Sequence, residues 1–565
     1  MKLGSLIKLV CLTLVVSIFS STLLTGCIFL RSCTADLFST EFNLTEADIR
    51  NYESAAESFE KSVIEGKNSL TVTLRSSMFV DGFSKIYTQY MIAYLNYCVD
   101  MKDEKALANY KFAFNAYNDA NKLYRETLKN ILLSDSEYAD LLFETWSEEE
   151  KQMLLNSNEN VFRLNEENEK LLIKYRDQDI ESEDWIESVD EIYFSLVQNR
   201  NEIGKEYGYS NYYEYSSSIE YSRFYTKEER DALRGYVKKY IVPLYRDNYS
   251  KLEELSKSVD EETLEEFYLL SRGSILSSTE LQGYISDYID TFYDANDSYE
   301  SYSYNMEAMF KEGRTIFANG ENALDGAFTA YLMDYSEPVA YFGPSYQNML
   351  TVAHEMGHYA AFGRYGQSAS SLDLCEVHSQ ASEWLLISYL EDVLDPDVYE
   401  LIKLHRLTNG LKIIILSAAV DECEERIYSA TDADSKDDYS EIISEITSTY
   451  GEDISKKFQL EKYFRYVAPD NPVYYLSYAV SEIASMEFYT MASDDYQAAV
   501  DAYVNFVEES TDSERIKEGL MQSFDENVYK ELTEIFGVDS DSDDEDNYED
   551  SIAYVIYGGQ YLTAA

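Results

Sequence analysis

TVAHEMGHYAAFGRYG, residues 351–366, holds two of the four histidines in a chain of 565 residues. Positions four apart share one face of a helix, so His354 and His358 can turn two imidazole nitrogens toward one ion. Glu355 can then reach water bound to that ion, which is the physical content of an H-E-x-x-H pattern: two ligands and a general base. A pair of surface histidines on a solvated helix is the competing reading. The small and apolar neighbours Leu350, Val352, Ala353, Tyr359, Ala360, Ala361 and Phe362 argue against it, because they predict a buried helix.

Upstream, Pro338-Val339-Ala340-Tyr341-Phe342 is β-prone, and a proline at its start suits an edge strand because it donates no ladder hydrogen bond. An extended peptide can pair with such an edge, which makes Val339, Ala340 and Tyr341 candidate substrate-strand residues. Downstream, LDLCEVHSQASEWLL places Glu376, Ser379 and Glu383 at i, i+3 and i+7, one helical stripe that offers a third ligand. His378, two residues from Glu376, points elsewhere. Two histidines and one carboxylate leave a fourth zinc position open for water, as hydrolytic sites do. Neutral imidazoles with a carboxylate favour zinc, one ion per chain.

These residues resemble the thimet oligopeptidase and oligoendopeptidase F family of zinc peptidases, which carries H-E-x-x-H followed by E-x-x-S-x-x-x-E. The resemblance extends to NEIGKEYGYSNYYEY (201–215), to YSRFYTKEERDALRGYVKKYIVPLY after it, to GAFTAYLMDYSEPVAYFGPSYQNML, and to NPVYYLSYAVSEIAS (471–485). It covers about residues 200–485. It implies a mostly all-α, large helical zincin-type peptidase with a deep substrate cleft and a small edge β-sheet beside the H-E-x-x-H helix. It implies His354, His358 and Glu376 as zinc ligands, Glu355 as base and Glu383 as a carboxylate partnering a ligand histidine. Tyr478 matches the tyrosine that steadies the oxyanion. Tyr474, one turn earlier, could touch substrate or the same oxyanion. The implied activity is hydrolysis of internal bonds in short oligopeptides. One departure is visible: the family usually carries a histidine before the tyrosine segment, whereas YFRYVAPDNPVYY has none, with Tyr466 and Val467 near its place. His405 cannot be assigned that role.

The rest of the chain sets the context. Six prolines, the first at Pro243, and long stretches rich in Glu, Lys, Leu, Ala and Tyr predict helices. Thr45 caps one such stretch, with Ile49, Ala55, Phe59 and Val63 recurring along it. The balance of 105 acidic against 46 basic residues gives a net charge of −59, which disfavours nucleic acid as a partner. The start, MKLGSLIKLVCLTLVVSIFSSTLLTGC, has a basic end, an apolar run and a close similar to a bacterial lipobox. That reading removes residues 1–26 as a lipoprotein signal peptide and puts lipid on Cys27, against an uncleaved anchor as the alternative. Either way the protein is expected outside the cytoplasmic membrane, held to it on the first reading through lipid on Cys27. Cys33, Cys98, Cys375 and Cys423 are scattered and form no small-loop disulfide framework.

The expected organisation is a tether (27–43), an amino-terminal helical domain (44–300), a catalytic zinc metallopeptidase domain (301–537) and an acidic tail (538–565). Two rival functions remain: a lipid-anchored peptide-binding protein with a degenerate or weakly active peptidase site, and a structural surface protein whose acidity binds calcium. The second lacks a D-x-D-x-D-G loop.

Overall fold

The computed structural model describes residues 39–537 apart from 145, 147, 157, 181, 183, 296–299, 312, 366–371, 431, 432, 434 and 510–519. The proposed signal, Cys27 and the acidic tail lie outside the described residues.

Side-chain caps start the first helices. Thr45 and Asp48 form a capping box at α1 (Glu46–Ile64), Asn68 caps α2 (Ser69–Val99), and Asp103 caps α3 (Glu104–Leu132). The predicted periodicity of α1 is realised: Ala55, Phe59 and Val63 face inward with Tyr52. These three helices close around a stack of rings in which Phe79 lies 5.5 Å from Tyr52, 5.4 Å from Phe59 and 4.9 Å from Tyr124, centroid to centroid. Further helices lead to a small sheet of β1 (Thr315–Phe317), β2 (Ala327–Leu332) and β3 (Glu337–Phe342).

The sheet corrects one expectation. Its order is β1-β3-β2, so β3, expected at the edge, is the middle strand. Proline misled here for a local reason. β1 pairs in parallel only with Ala340–Phe342, beyond Pro338, so the missing N–H breaks no bond on that side. On the other side β2 runs antiparallel, with Thr329 opposite Ala340 and Tyr331 opposite Pro338. Ala340 and Tyr341 are therefore flanked by strands on both sides, and Val339 pairs with Ala330 of β2 alone.

Strand side chains alternate between two layers. Phe328, Ala330, Leu332, Val339 and Tyr341 pack on Met91, Ile92 and Leu95 of α2. Ala327, Ala340 and Phe342 face the larger core. That core holds α4 (Met349–Tyr365), α5 (Leu372–Leu390), α6 (Pro396–Ser429) and α7 (Leu476–Asp494). Among the described residues no helix is long and apolar enough to cross a membrane.

Candidate metal centre

Helix α4 is buried around its girth: His354, Glu355 and His358 are at most 6% exposed. It lies against α5 at the motif glycine. A Cβ on Gly357 would stand 2.5 Å from the carbonyl oxygen of His378 and 2.9 Å from the Cα of Ser379, distances real side chains do not tolerate. Glycine there lets the two backbones approach until Glu376 on α5 faces both histidines. Its Oε2 lies 3.7 Å from His354 Nε2 and 3.8 Å from His358 Nε2.

The donor atoms of His354, His358 and Glu376 all lie within 4.8 Å of one another. A tetrahedral ion with arms of about 2.0–2.1 Å needs donors about 3.3 Å apart, so small side-chain rotations close the set. The residues fit a metal on two further counts. Both ring nitrogens of His358 are buried and find no hydrogen-bond partner among the described residues. Burial also pushes His354 down to about 3 and His358 well below its ordinary value, so both rings are neutral and ready to ligate. Three carboxyls crowd the same space. Burial raises Glu355 to about 8, Glu376 to about 7 and Glu383 to about 7, which a divalent cation would reverse.

Two of the three candidate ligands are held from behind. His354 Nδ1 meets Glu383 Oε1 at 2.7 Å, leaving Nε2 toward Glu376. Glu383 Oε2 in turn meets Arg406 Nε at 2.9 Å. Arg406, on α6, forks onto Glu482 of α7 at 2.6 and 2.9 Å and lies 4.4 Å above the Trp384 ring. Glu376 Oε1 accepts from the Tyr474 hydroxyl at 2.5 Å. Glu355 Oε2 accepts from Thr329 Oγ1 of β2 at 2.7 Å.

Several sequence expectations can now be located. Glu383 lies beside the candidate ligand His354. The Tyr474 hydroxyl rests on the candidate ligand Glu376, and Tyr474 precedes α7 in a turn rather than sitting a helical turn before Tyr478. The Tyr478 ring is buried against Tyr474 at 5.1 Å and Tyr475 at 5.7 Å. His378 turns away from Glu376 toward Phe506, 6.0 Å off. His405 Nε2 pairs with Asn409 at 3.1 Å. Val467 is buried and Tyr466 half-buried where a histidine was expected. Thr329, Arg406 and Glu482 were missed. Each comes from an element remote in sequence, and no local pattern marks them.

No protein-family model and no curated protein matches the sequence. Solved structures do match the fold. PZ peptidase A, solved with an inhibitor, superposes with a TM-score of 0.65 at 15% identity, over 88% of this chain and 97% of its own. A Bacillus anthracis str. Ames protein described as an oligoendopeptidase F gives 0.64 at 16% identity, over 88% and 96%. Oligoendopeptidase-F from Enterococcus faecium gives 0.51 at 15% identity, over 87% and 97%. The chain thus has the large helical architecture of those proteins, with the His354–His358–Glu376 cluster set in it.

Proposed function

We propose that the protein is a zinc-dependent endopeptidase that cuts internal bonds of short peptides. The observation that carries this is the convergence of His354, His358 and Glu376 with Glu355 held beside them. A zinc ion on those three ligands would supply a Lewis acid for the scissile carbonyl and lower the pKa of water. Glu355 would take the proton of the attacking water and deliver it to the leaving amine. Of the two carboxylate oxygens of Glu355, Thr329 engages Oε2, which leaves Oε1 for that exchange. The Tyr478 hydroxyl would donate to the oxygen that gains charge, in a buried setting where such a bond is strong. Substrate backbone would pair at a free edge of the sheet. β2, which carries Thr329, supports that choice over β3.

The oligopeptide preference rests on the likeness to peptidases of this fold. Lipid anchoring at Cys27 and action on the outer face of a bacterial membrane rest on the leader sequence alone. The absent family histidine favours a reduced rate, since losing one oxyanion donor costs roughly 10²–10³.

The test uses zinc-loaded protein and a mixed library of peptides read by mass spectrometry, with Glu355→Gln in parallel. Internal cleavage by the parent and none by the variant supports the proposal. If neither cuts while both bind zinc and retain peptides, the rival peptide-binding reading replaces it.

A further inference from the structure

The turn that leads into α7 contains a β-branched residue in the left-handed region: Val473 has φ +64°. Such a conformation is strained for valine and persists only where the surroundings over-determine it. Here they do. The Val473 N–H donates to both oxygens of buried Glu424, on α6, at 2.9 and 3.0 Å. Its carbonyl accepts from Arg223 at 2.6 Å. The carbonyls on either side are also held, Pro472 by the Tyr221 hydroxyl at 3.0 Å and Tyr474 by Arg223 at 3.1 Å. Ser222 is itself left-handed, at φ +51°, and lies between the two residues that reach this turn. Arg223 continues to Ser477 at 2.9 Å and to Asp373, at the start of α5, at 3.3 Å. Thus the metal-ligand helix and the tyrosine turn are tied through one guanidinium.

The residue this turn delivers is Tyr474, whose hydroxyl lands on Glu376. We propose that Tyr221, Arg223 and Glu424 form a clamp that holds Val473 left-handed, and that this conformation fixes the Tyr474 hydroxyl on the metal ligand Glu376. The inference rests on the reading of His354, His358 and Glu376 as metal ligands. Without the clamp, valine relaxes to negative φ, the next peptide rotates, and Tyr474 swings off Glu376. The clamp residues touch neither metal nor substrate. They are positioning residues, and their effect reaches the site through Tyr474.

The experiment measures zinc affinity of the apo protein against a competing chelator, and the visible spectrum of the cobalt form. Glu424→Gln keeps an acceptor for the Val473 N–H and is expected to match the parent. Glu424→Met is expected to weaken zinc 10–100-fold, the usual effect of losing support behind a ligand, and to shift the cobalt bands. Adding Val473→Gly to Glu424→Met should recover most of that loss, because glycine adopts positive φ unaided. Should Glu424→Met fail to fold, Tyr221→Phe removes one hydroxyl from a retained ring and is expected to weaken zinc several-fold. Folded Glu424→Met or Tyr221→Phe with parental affinity and spectrum overturns the inference, as does a loss that glycine does not rescue. A parent that takes up no zinc defeats the metal reading and this inference together. A parent weakened by Tyr474→Phe but not by the clamp variants defeats the clamp alone.

Discussion

At Gly357 a single hydrogen in place of a methyl group decides how near α4 and α5 come. Gly357→Ala must push the carbonyl of His378 outward and carry Glu376 with it. The expected outcome is a protein that keeps its helical circular dichroism but binds zinc at least tenfold more weakly in a chelator competition, the range seen when ligand geometry is disturbed. At this scale the sequence was most informative where chemistry is local: His354, Glu355 and His358 lie within one helical turn. It was silent about Thr329, whose claim on Glu355 depends on a strand 26 residues away. It also gave Tyr474 to substrate or oxyanion, whereas a left-handed residue before it, which no composition signals, aims it at Glu376.

At the scale of elements, α6 carries the polar groups that the pattern could not reveal. Its interior presents Arg406 to Glu383 and Glu482, both buried. Arg406→Met leaves two carboxylates without their cation, and removing one partner of a buried pair costs about 3–5 kcal/mol. Urea unfolding of the apo protein checks this, and a loss below about 1 kcal/mol would contradict it. Six residues on, burial pulls the Lys412 ammonium down from 10.5 to about 8. A cation whose folded pKa is depressed destabilises the fold in full below about pH 8. That penalty fades as pH rises toward 10.5, where the unfolded chain binds the extra proton. Lys412→Met is therefore expected to raise stability at pH 7 by about 1–3 kcal/mol, allowing for partial exposure, and the gap over the parent should narrow at pH 9.5. The same limit explains the sheet. A proline marked Pro338 as edge-like, but strand order depends on where β1 starts to pair, which is set by tertiary packing.

At the scale of the whole molecule, a mostly helical body was legible from proline scarcity and apolar spacing, because helices announce themselves locally. The assembly of distant helices around one core was not. The charge of −59 carries a prediction of its own. Peptides bearing several lysines should be cut with a higher kcat/KM than acidic peptides at an ionic strength of about 0.01 M. That advantage should shrink severalfold at about 1 M, where screening reaches only roughly 3 Å. Equal rates at low salt would show that the field does not reach the candidate metal site.

The layering of α2 behind the sheet also sets a timetable. The Tyr341 hydroxyl donates to the Cys98 carbonyl across 243 positions. At about 5–20 residues per second, roughly 12–50 s of synthesis separate the two. For that interval Met91, Ile92 and Leu95 lack the strands that cover them in the finished fold. A chain truncated before β1 should accordingly bind a hydrophobic dye and aggregate, and adding residues through β3 should suppress both. The half of the molecule made first is thus obliged to wait, and whatever shields α2 during the wait governs how much protein ever reaches its working form.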